Sequence, residues 1–487
     1  MRKTKIVATI GPASEDSKIL EQLIKAGMNV MRLNFSHGTH EEHLRKVKTL
    51  RMLNEKLGTS IAFMLDTKGP EIRTGLYDDG KKHQLTKGEK ITLTTRDVPC
   101  TDKVISLSYH DLHKDVKVGD HILVCDGLLD FQIDKINGTE MECTILNDGL
   151  LGDQKNVNVP GVKLNMPAMT DKDKSDLKFA VENDFDYISA SFIRKPQDII
   201  EMKNYLKSLG SENIKIISKI ENQEGIDNFD EILKVTDGIM VARGDLGVGV
   251  EMALVPIYQK MMIKKTVAAG KSVITATQML ESMQQNPRPT RAEVSDVANA
   301  VYDGTSCVML SGESAQGDYP LESVATMEKI VRYTENSIDY LKRFKKNNID
   351  KLSEFGKVTI SNERDFKKES NFAVCCSAIF SNADAIIAIS EHGETPQILS
   401  SLRPACPIFV ITANEKTYRQ MSLEFGVKAV YIPNVHDFNK ILDAGINELK
   451  NEGLLKDGNT VVISGKYSNS DKTSYLKSEA TGSIIKI

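Results

Sequence analysis

MNVMRLNFSHGTHEE, residues 28–42, places a strand directly before the start of a helix. The run Met28–Asn34 is dense in apolar residues, which is typical of a strand that is buried on both faces of a sheet. Thr39 and Glu42 have the S/T-x-x-E spacing of a capping box, so we expect a helix to begin there. The stretch is therefore one strand–helix unit, and successive units of this kind favour parallel strands.

The same unit recurs along the first 340 residues. Eight β-rich runs alternate with amphipathic segments, and eight units are the number that closes a (β/α)₈ barrel. We therefore predict an α/β protein built on a TIM barrel. The predicted barrel strands are Thr4–Ile10, Met28–Asn34, Ile61–Asp66, Phe185–Ser191, Ile214–Ile220, Gly238–Arg243, Ser272–Thr277 and Ser306–Leu310.

One interval, from about Gly69 to Val162, breaks this alternation. Helical periodicity disappears there, and short β-rich runs are separated by turns that contain glycine. The pair Asn137-Gly138 between two alternating runs is a strong hairpin signal. We predict an inserted all-β domain that covers the catalytic face of the barrel as a lid. The predicted boundaries are 1–69 and 163–340 for the barrel domain and 70–162 for the lid domain.

The residues after about 340 form a third region. A polar stretch that contains the basic run Lys342–Lys346 comes first, and the alternation of strands and helices then resumes between Phe372 and Ile463. We interpret the basic run as a solvated connector, and the alternative is a patch that binds phosphate or nucleic acid. Residues 341–487 are predicted to form a C-terminal open α/β domain.

The composition excludes several classes of protein. The chain has 487 residues, and its 63 Lys and Arg against 67 Asp and Glu give a net charge of −4, which offers no general basis for binding nucleic acid. No apolar run approaches the ~20 residues that a membrane helix needs. The seven cysteines form no C-x-x-C pair, which favours reduced thiols over a disulfide or zinc framework. We expect a cytoplasmic protein without a membrane or nucleic-acid partner.

Chemically active side chains gather after the C-terminal ends of the predicted barrel strands. Active sites of barrel enzymes lie at this end, which we call the barrel mouth. The opposite end carries little comparable chemistry. The polar residues at the mouth are Arg32, Asn34 and Ser36 on the second strand, Asp66, Thr67 and Arg73 after the third, Lys219 and Glu221 on the fifth, Arg243 and Asp245 after the sixth, and Thr277 after the seventh.

Glu221 and Asp245 are candidates for a metal site. Taken singly, Glu221 could form a structural ion pair with Lys219, and Asp245 could cap a helix. At the ends of adjacent strands, however, two carboxylates with substrate oxygens and water commonly hold Mg²⁺. Lys219 and Glu221 also flank Ile220 in a buried strand, where unpaired charges cost several kcal/mol, so both need partners or a ligand.

The other residues at the mouth suit an anionic substrate. Arg32 and Arg73 could be ordinary surface residues, but guanidinium groups at the mouth are well suited to phosphate. Cationic side chains beside a metal pair indicate phosphoryl transfer, in which the protein positions the substrate and neutralises its charge. Four further residues offer oxygen atoms with one formal negative charge, which fits a monovalent cation or plain hydrogen bonding: Asn34, Ser36, Asp66 and Thr67.

Several long motifs, in their order along the chain, resemble those of the pyruvate kinase family. The similarity runs from residue 2 to about 335 and continues more weakly to the end. The chain resembles the short bacterial form, which lacks a C-terminal phosphohistidine-type extension. The motifs are MRLNFSHG (31–38), LDTKGPEIR (65–73), SKIEN (218–222), VARGDLG (241–247), ATQMLESM (276–283), PRPTRAE (287–293) and MLSGE (309–313).

The resemblance implies the last step of glycolysis, in which the phosphoryl group of phosphoenolpyruvate passes to ADP and gives pyruvate and ATP. It implies that Glu221 and Asp245 hold Mg²⁺ or Mn²⁺ and that Lys219 stabilises the phosphoryl group. Thr277 would lie near the carbon atom that is protonated. The phosphate would be bound by Arg32 and Arg73, and the substrate carboxylate by backbone groups of Ala242, Gly244 and Asp245.

The resemblance also implies a second cation, a nucleotide site and an assembly. Asn34, His37 and Arg73 would lie at the nucleotide. The chain is expected to form a homotetramer, with regulatory or oligomerisation roles for the C-terminal domain. Glu71 stands where K⁺-dependent members have Glu, so we predict activation by K⁺. The implied K⁺ ligands are Asn34, Ser36, Asp66 and the backbone of Thr67.

The chain departs from the family pattern at two places. After Gly247 it has VGVEM (248–252) where Val-Glu-Ile-Pro is typical, which alters a helix start beyond Asp245. The C-terminal loop expected to hold a sugar-phosphate activator is SEHGETP (390–396), whose two carboxylates would repel a phosphate. A late glycine-rich stretch is replaced by GKYSNS (465–470). We therefore predict weak or absent activation by fructose 1,6-bisphosphate.

Two other functions use part of the same chemistry. A Mg²⁺-dependent barrel lyase or aldolase that acts on pyruvate enolates would share the Glu/Asp metal pair, but it has no need of the inserted domain or the monovalent-cation residues. Nor would such an enzyme need Lys219 beside Glu221. A non-catalytic protein that binds phosphoenolpyruvate is the other alternative, but every reactive residue is present in this chain. An assay with phosphoenolpyruvate, ADP, Mg²⁺ and K⁺ separates the three.

Overall fold

The first three barrel strands lie close to their predicted positions. The structure is a computed structural model, and it describes residues 1–350, 363–435, 437–465 and 483–487. The capping box predicted at Thr39 and Glu42 is present at the second helix, where the two residues hydrogen-bond to each other's backbone. The elements are β1 (Lys5–Thr9), α1 (Ser17–Ala26), β2 (Val30–Asn34), α2 (His40–Leu57) and β3 (Ala62–Asp66).

An all-β segment then interrupts the barrel, as predicted. Its main sheet has seven strands, and the hairpin at Asn137-Gly138 is confirmed because β9 pairs antiparallel with β10. Gly138 has a φ of +60°, which glycine adopts without strain. The elements are β4 (Ile72–Arg73), β5 (His83–Leu85), β6 (Lys90–Thr94), β7 (Val104–Ser106), α3 (Leu112–Asp115), β8 (His121–Val124), β9 (Leu129–Asn137), β10 (Glu140–Ile145), β11 (Gly149–Leu151) and β12 (Asn156–Asn158).

Five more strands complete a closed, all-parallel barrel in the order β1-β17-β16-β15-β14-β13-β3-β2. Every barrel strand begins and ends within two residues of its predicted bounds. The elements are α4 (Asp171–Glu182), β13 (Tyr187–Ala190), α5 (Pro196–Ser208), β14 (Lys215–Ile220), α6 (Gln223–Asp227), α7 (Phe229–Val235), β15 (Gly238–Ala242), α8 (Arg243–Gly249), α9 (Val255–Ala268), β16 (Ser272–Ala276), α10 (Arg291–Asp303), β17 (Cys307–Leu310), α11 (Gly312–Ala315) and α12 (Pro320–Asn336).

The C-terminal region is an open sheet of five strands in the order β20-β19-β18-β21-β22, of which only the edge strand β22 is antiparallel. The basic run lies on a short helix and the π-helical turn Lys345–Ile349; its lysines are exposed, as expected of a solvated connector, and the fully buried Phe344 anchors it. The elements are α13 (Tyr340–Phe344), α14 (Glu363–Phe380), β18 (Ala385–Ile389), α15 (Glu394–Ser401), β19 (Ile408–Thr412), α16 (Glu415–Gln420), β20 (Val427–Tyr431), α17 (Phe438–Asn451), β21 (Thr460–Gly465) and β22 (Ser483–Lys486).

The C-terminal region closes the N-terminal end of the barrel. Leu423, at the end of the short 3₁₀ helix Met421–Leu423, packs with the apolar residues of the barrel interior. The hydroxyl of Tyr187 donates a 2.6 Å hydrogen bond to the carbonyl of Gln420, and Arg419 pairs with the buried carboxylate of Asp186. Because this end is filled, the barrel mouth is the end that remains open for a ligand.

Candidate active site

Lys219 is the centre of the polar cluster at the barrel mouth. It lies near the C-terminal end of β14, and its ammonium Nζ is 3.2 Å from Asp66 Oδ1, 3.0 Å from Glu221 Oε1 and 2.7 Å from the hydroxyl of Ser191. Burial acts to lower the pKa of Lys219, but the carboxylates of Asp66 and Glu221 outweigh it and raise the pKa above its usual value. Lys219 is therefore a permanent positive charge.

Arg32 and Asp66 form the second part of this cluster. The guanidinium of Arg32, on β2, donates through Nε to Asp66 Oδ2 at 2.8 Å and through Nη1 to the hydroxyl of Thr9 at 2.8 Å. Burial acts to raise the pKa of Asp66, but Arg32 and Lys219 hold it below its usual value. Asp66 thus remains a carboxylate that orients two cations toward the mouth.

Glu221 and Asp245 have the environment of a metal site. The amide of Phe192 donates to Glu221 Oε2 at 2.5 Å, whereas the buried Oε1 faces the ammonium of Lys219 at 3.0 Å. The Asp245 carboxyl lies within hydrogen-bonding reach of Glu221. Burial raises the pKa of Glu221 to about 7, with Lys219 opposing this rise and Asp245 adding to it.

A divalent cation fits this pair better than a proton does. It would relieve the repulsion between two partly desolvated carboxylates. Asp245 is free for this role because it does not cap a helix: α8 begins at Arg243, and its N-cap residue is Ala242. No group of three or more His, Cys, Asp or Glu side chains in the described ranges could hold a metal. Two carboxylates, together with water or substrate oxygens, are a donor set that commonly holds a divalent cation such as Mg²⁺.

Thr277 lies opposite the start of α8. Its hydroxyl accepts a 2.8 Å hydrogen bond from the amide of Gly244, and its φ is +65°, a region that a β-branched residue rarely adopts. Arg243 holds this backbone: its guanidinium donates to the carbonyls of Ala276 at 3.0 Å and Thr277 at 2.6 Å and pairs with Asp296 at 2.7 Å. Strain held by such contacts is typical of a functional position.

The residues considered for a monovalent cation lie on neighbouring strand ends. Asn34 of β2 is in register with Asp66 of β3, and the side-chain oxygen of Asn34 accepts from the amide of Ser36 at 3.1 Å. The carbonyl of Thr67 accepts a 2.6 Å hydrogen bond from the hydroxyl of Ser191. These oxygens carry one formal charge among them, and each has a second lone pair, so the donor set fits a monovalent cation.

Arg73 and His37 lie outside the cluster. The guanidinium of Arg73, on β4, donates to both carboxylate oxygens of Glu71 at 2.9 and 3.0 Å and to the carbonyl of Gln154 at 2.8 Å. Arg73 makes no ion pair or hydrogen bond with Asp66, Glu221 or Ser191, and the exposed side chain of His37 lies on the loop before α2. Both side chains belong to the rim of the mouth.

A cleft of about 970 Å³ lies between the mouth and the all-β segment. Glu221 and Asp245 lie on its barrel side, and Glu71 lies where the all-β segment begins. Residues 156–164 line the opposite side. Any movement of the all-β segment therefore changes the access of water to the two carboxylates.

Ser191 is a site residue that was not predicted from the sequence. Its hydroxyl accepts from Lys219 and donates to the carbonyl of Thr67, so it joins two strand ends. It directly follows β13, one of the barrel strands to which no site residue was assigned. Its position after a barrel strand was the available signal.

Comparisons with known proteins agree with this architecture. Residues 1–324 match the family description "Pyruvate kinase, barrel domain", and residues 372–477 match "Pyruvate kinase, alpha/beta domain". A pyruvate kinase of Clostridium acetobutylicum is 45% identical over 95% of this chain and 96% of its own length. One from Staphylococcus haemolyticus is 45% identical over 100% of this chain and 81% of its own.

A solved structure gives the same result. The crystal structure of a pyruvate kinase from Cryptosporidium parvum superposes with a TM-score of 0.91 and is 37% identical, covering 100% of this chain and 96% of that one. Within the described ranges, no helix is both long and apolar enough to cross a bilayer. The chain belongs to the pyruvate kinase family.

Proposed function

We propose that this chain transfers the phosphoryl group of phosphoenolpyruvate to ADP and yields pyruvate and ATP. The observation that carries the proposal is the cluster at the barrel mouth, where Lys219 and Arg32 lie beside Glu221 and the shared carboxylate of Asp66. The named relatives, which extend over nearly the whole chain, support the same reaction. The arrangement suits a polyanionic substrate because its cations are preorganised and its carboxylates can recruit a metal.

The two cations of the cluster act on the phosphoryl group. Lys219 stabilises the negative charge that spreads over the phosphoryl oxygens during transfer, and Arg32 binds the phosphate through its planar guanidinium. Ser191 and Asp66 fix the ammonium of Lys219, so no reorganisation is needed as charge develops. Arg73, at the rim, would reach the phosphates when its pair with Glu71 opens.

The other half of the reaction protonates the enolate of pyruvate. Thr277 would position the proton donor, through water, next to the carbon atom that receives the proton, while the substrate carboxylate meets the backbone of Ala242, Gly244 and Asp245. The hydroxyl of Thr277 already bonds the amide of Gly244, so the two groups move together. Asn34, His37 and Arg73 would contact the nucleotide.

Two cations complete the proposed site. Glu221 and Asp245 would hold Mg²⁺ or Mn²⁺, which supplies the positive charge that neutralises the substrate oxygens and the developing enolate. K⁺, bound by oxygens of Asn34, Ser36, Asp66 and Thr67, would add a further positive charge. Glu71 pairs with Lys68 at 3.2 Å and with Arg73 at the rim. With Glu71 in this position, the further positive charge of the site would come from K⁺.

The proposed domains, 1–69 with 163–340, 70–162 and 341–487, would act together. The all-β domain would close over the cleft as a lid and exclude water from phosphoryl transfer. The chain would assemble as a homotetramer in the cytoplasm, and the mass in solution measured by light scattering would test that assembly. Fructose 1,6-bisphosphate would activate it weakly or not at all, because Glu391 and Glu394 flank the loop and Glu394 already pairs with Lys367. In the other segment considered for this effector, 465–470, the residues after 465 lie outside the described residues.

A coupled assay tests the proposed function. Pyruvate release is followed with phosphoenolpyruvate, ADP, Mg²⁺ and K⁺, and each component is then left out in turn. We expect turnover only with both substrates and the divalent cation, and a large loss of rate when Na⁺ replaces K⁺. Release of pyruvate without ADP would indicate a different enzyme, and no release under any condition would refute catalysis. Equal turnover without K⁺ or a surrogate cation would refute the K⁺ site.

A further inference from the structure

A second polar recess lies on the side of the molecule between the barrel and the C-terminal region. We call it the basic cleft. It is open to solvent and is lined by residues of α9 and the end of α10 from the barrel, and by α13, the turn after it, Lys368 of α14 and the end of α15 from the C-terminal region. It shares no lining residue with the cleft at the barrel mouth. It is therefore separate from the site described above.

The basic cleft has the opposite charge to the whole chain. Seven Lys and Arg side chains line it against two Asp, although the chain has a net charge of −4. One of the two carboxylates, Asp303, is already paired with Lys260. The basic run 342–346, which the proposed reaction does not use, supplies Lys342, Arg343 and Lys346. Cations concentrated in a concave recess focus a positive potential that attracts anions.

Three of these lysines have no partner among the described residues. The exposed side chains of Lys264, Lys342 and Lys346 make no ion pair or hydrogen bond in that part of the chain. Lysines that face one recess repel each other, so each side chain gains when an anion enters. If the basic run binds phosphate, as the alternative interpretation of the sequence has it, the basic cleft is the place where phosphate would bind.

A buried arginine adds an independent observation. Arg403 lines the cleft and is only 6% exposed, and its face covers the ring of Phe425 at 3.8 Å. Its Nη2 donates to the carbonyl of Gly304 at 2.9 Å and to the hydroxyl of Ser306 at 3.0 Å, whereas Nε and Nη1 have no hydrogen-bond partner in the described part of the chain. Burial lowers the pKa of Arg403 to about 10, which still leaves it charged near neutral pH. Two donor groups of this cation, Nε and Nη1, thus remain without a hydrogen-bond acceptor among the described residues.

We propose that the basic cleft binds a small anion that carries a pyrophosphate group or two separate phosphate groups. A concave recess lined by five lysines and two arginines suits multidentate phosphate. Because the walls come from both the barrel and the C-terminal region, an occupant contacts both and stabilises their association. Binding of an anion to the basic cleft can be measured without turnover, so it does not depend on the reaction proposed above.

Calorimetric titration with inorganic pyrophosphate tests the inference. The titration uses the full chain in metal-free buffer, so that the carboxylates at the barrel mouth have no cation to attract the probe. The cleft variant is Lys264→Gln/Lys342→Gln, and the matched control is Lys18→Gln/Lys48→Gln, which removes two exposed lysines elsewhere. We expect the dissociation constant to rise about tenfold or more in the cleft variant and to remain unchanged in the control.

Two further readouts keep the inference falsifiable. Pyrophosphate is expected to raise the Tm of the parent protein and the control but not that of the cleft variant, because a ligand stabilises the state that binds it. Basal turnover in the coupled assay is expected to be the same in all three proteins. Equal affinity in all three would overturn the inference, since the anion would then bind elsewhere. Displacement of pyrophosphate by a lower concentration of an RNA oligonucleotide would also overturn it.

Discussion

Lys219→Met is the substitution that most strongly perturbs the proposed site. Methionine has nearly the length and volume of the lysine stem, so the substitution removes the charge while it leaves the packing largely intact. The ammonium Nζ of Lys219 lies 3.2 Å from Asp66 Oδ1, 3.0 Å from Glu221 Oε1 and 2.7 Å from Ser191 Oγ. The side chain of Lys219 is 12% exposed. The variant therefore removes one charge from a largely desolvated network.

The size of the effect follows from those contacts. The loss of one preorganised group that stabilises charge in a transition state lowers kcat by roughly 10²–10³-fold. Lys219 carries a full charge in a buried position, so its removal should lower kcat by at least the upper value of this range, ~10³-fold. Breaking a buried ion pair costs about 3–5 kcal/mol of stability, and we expect the lower end because Asp66 keeps Arg32 at 2.8 Å.

Three measurements separate catalysis from folding. The coupled assay gives kcat, chemical denaturation gives the free energy of unfolding, and Mn²⁺ binding followed by electron paramagnetic resonance reports the metal site. Lys203→Met is the matched control, because Lys203 pairs with Asp237 at 3.0 Å at the opposite end of the barrel. The variant Lys219→Met should still bind Mn²⁺, and the control should keep its kcat. A folded Lys219→Met protein with kcat within tenfold of the parent would refute the role of Lys219.

Three other substitutions test particular contacts. Burial raises the pKa of Asp186 to about 6, so protonation of this group makes the folded state more stable as the pH falls from 7 to 4. The free energy of unfolding should rise by about 3 kcal/mol over this range, and Asp186→Asn should abolish that rise. Identical pH profiles of unfolding for the variant and the parent would contradict this. Gly249→Ala places a methyl group 2.9 Å from the carbonyl of Glu221, so it should cost about 1–3 kcal/mol in denaturation and weaken Mn²⁺ binding, and unchanged binding would count against it. Thr277→Ala should lower kcat by about 10²-fold while Thr277→Ser stays close to the parent, and equal rates would exclude a role for the hydroxyl.

The barrel could be predicted because its strands have a strong local signal. A strand buried on both faces is continuously apolar, as Ile214–Ile220 illustrates, and a capping box such as Thr39 with Glu42 marks the helix that follows. The short strands β4, β5, β11 and β12 were missed, because two or three residues are too few to show alternation and such strands depend on their neighbours. The four-residue edge strand β22 was also missed; it pairs with a single neighbour, β21.

The candidate site was predicted to the extent that topology brings strand ends together. The pairing of Lys219 with Glu221 follows from their spacing on one strand, but the contact of Lys219 with Ser191 depends on a register between β13 and β14 that no local pattern contains. The engagement of Arg73 by Glu71 and Gln154 likewise depends on the fold of the all-β segment. The exposed lysines of the basic run agree with a solvated connector, but its short helix and the buried Phe344 that anchors it could not be recognised among these charges.

Phosphorus-31 nuclear magnetic resonance on the purified chain tests the central claim most directly. The protein is mixed with phosphoenolpyruvate, ADP, Mg²⁺ and K⁺, and the phosphorus signals are followed over time. The proposed function predicts that the phosphoenolpyruvate signal disappears while the γ-phosphorus signal of ATP grows in equal amount, and that Lys219→Met shows neither change. The growth of inorganic phosphate in place of ATP, or unchanged spectra with the folded parent protein, would contradict it.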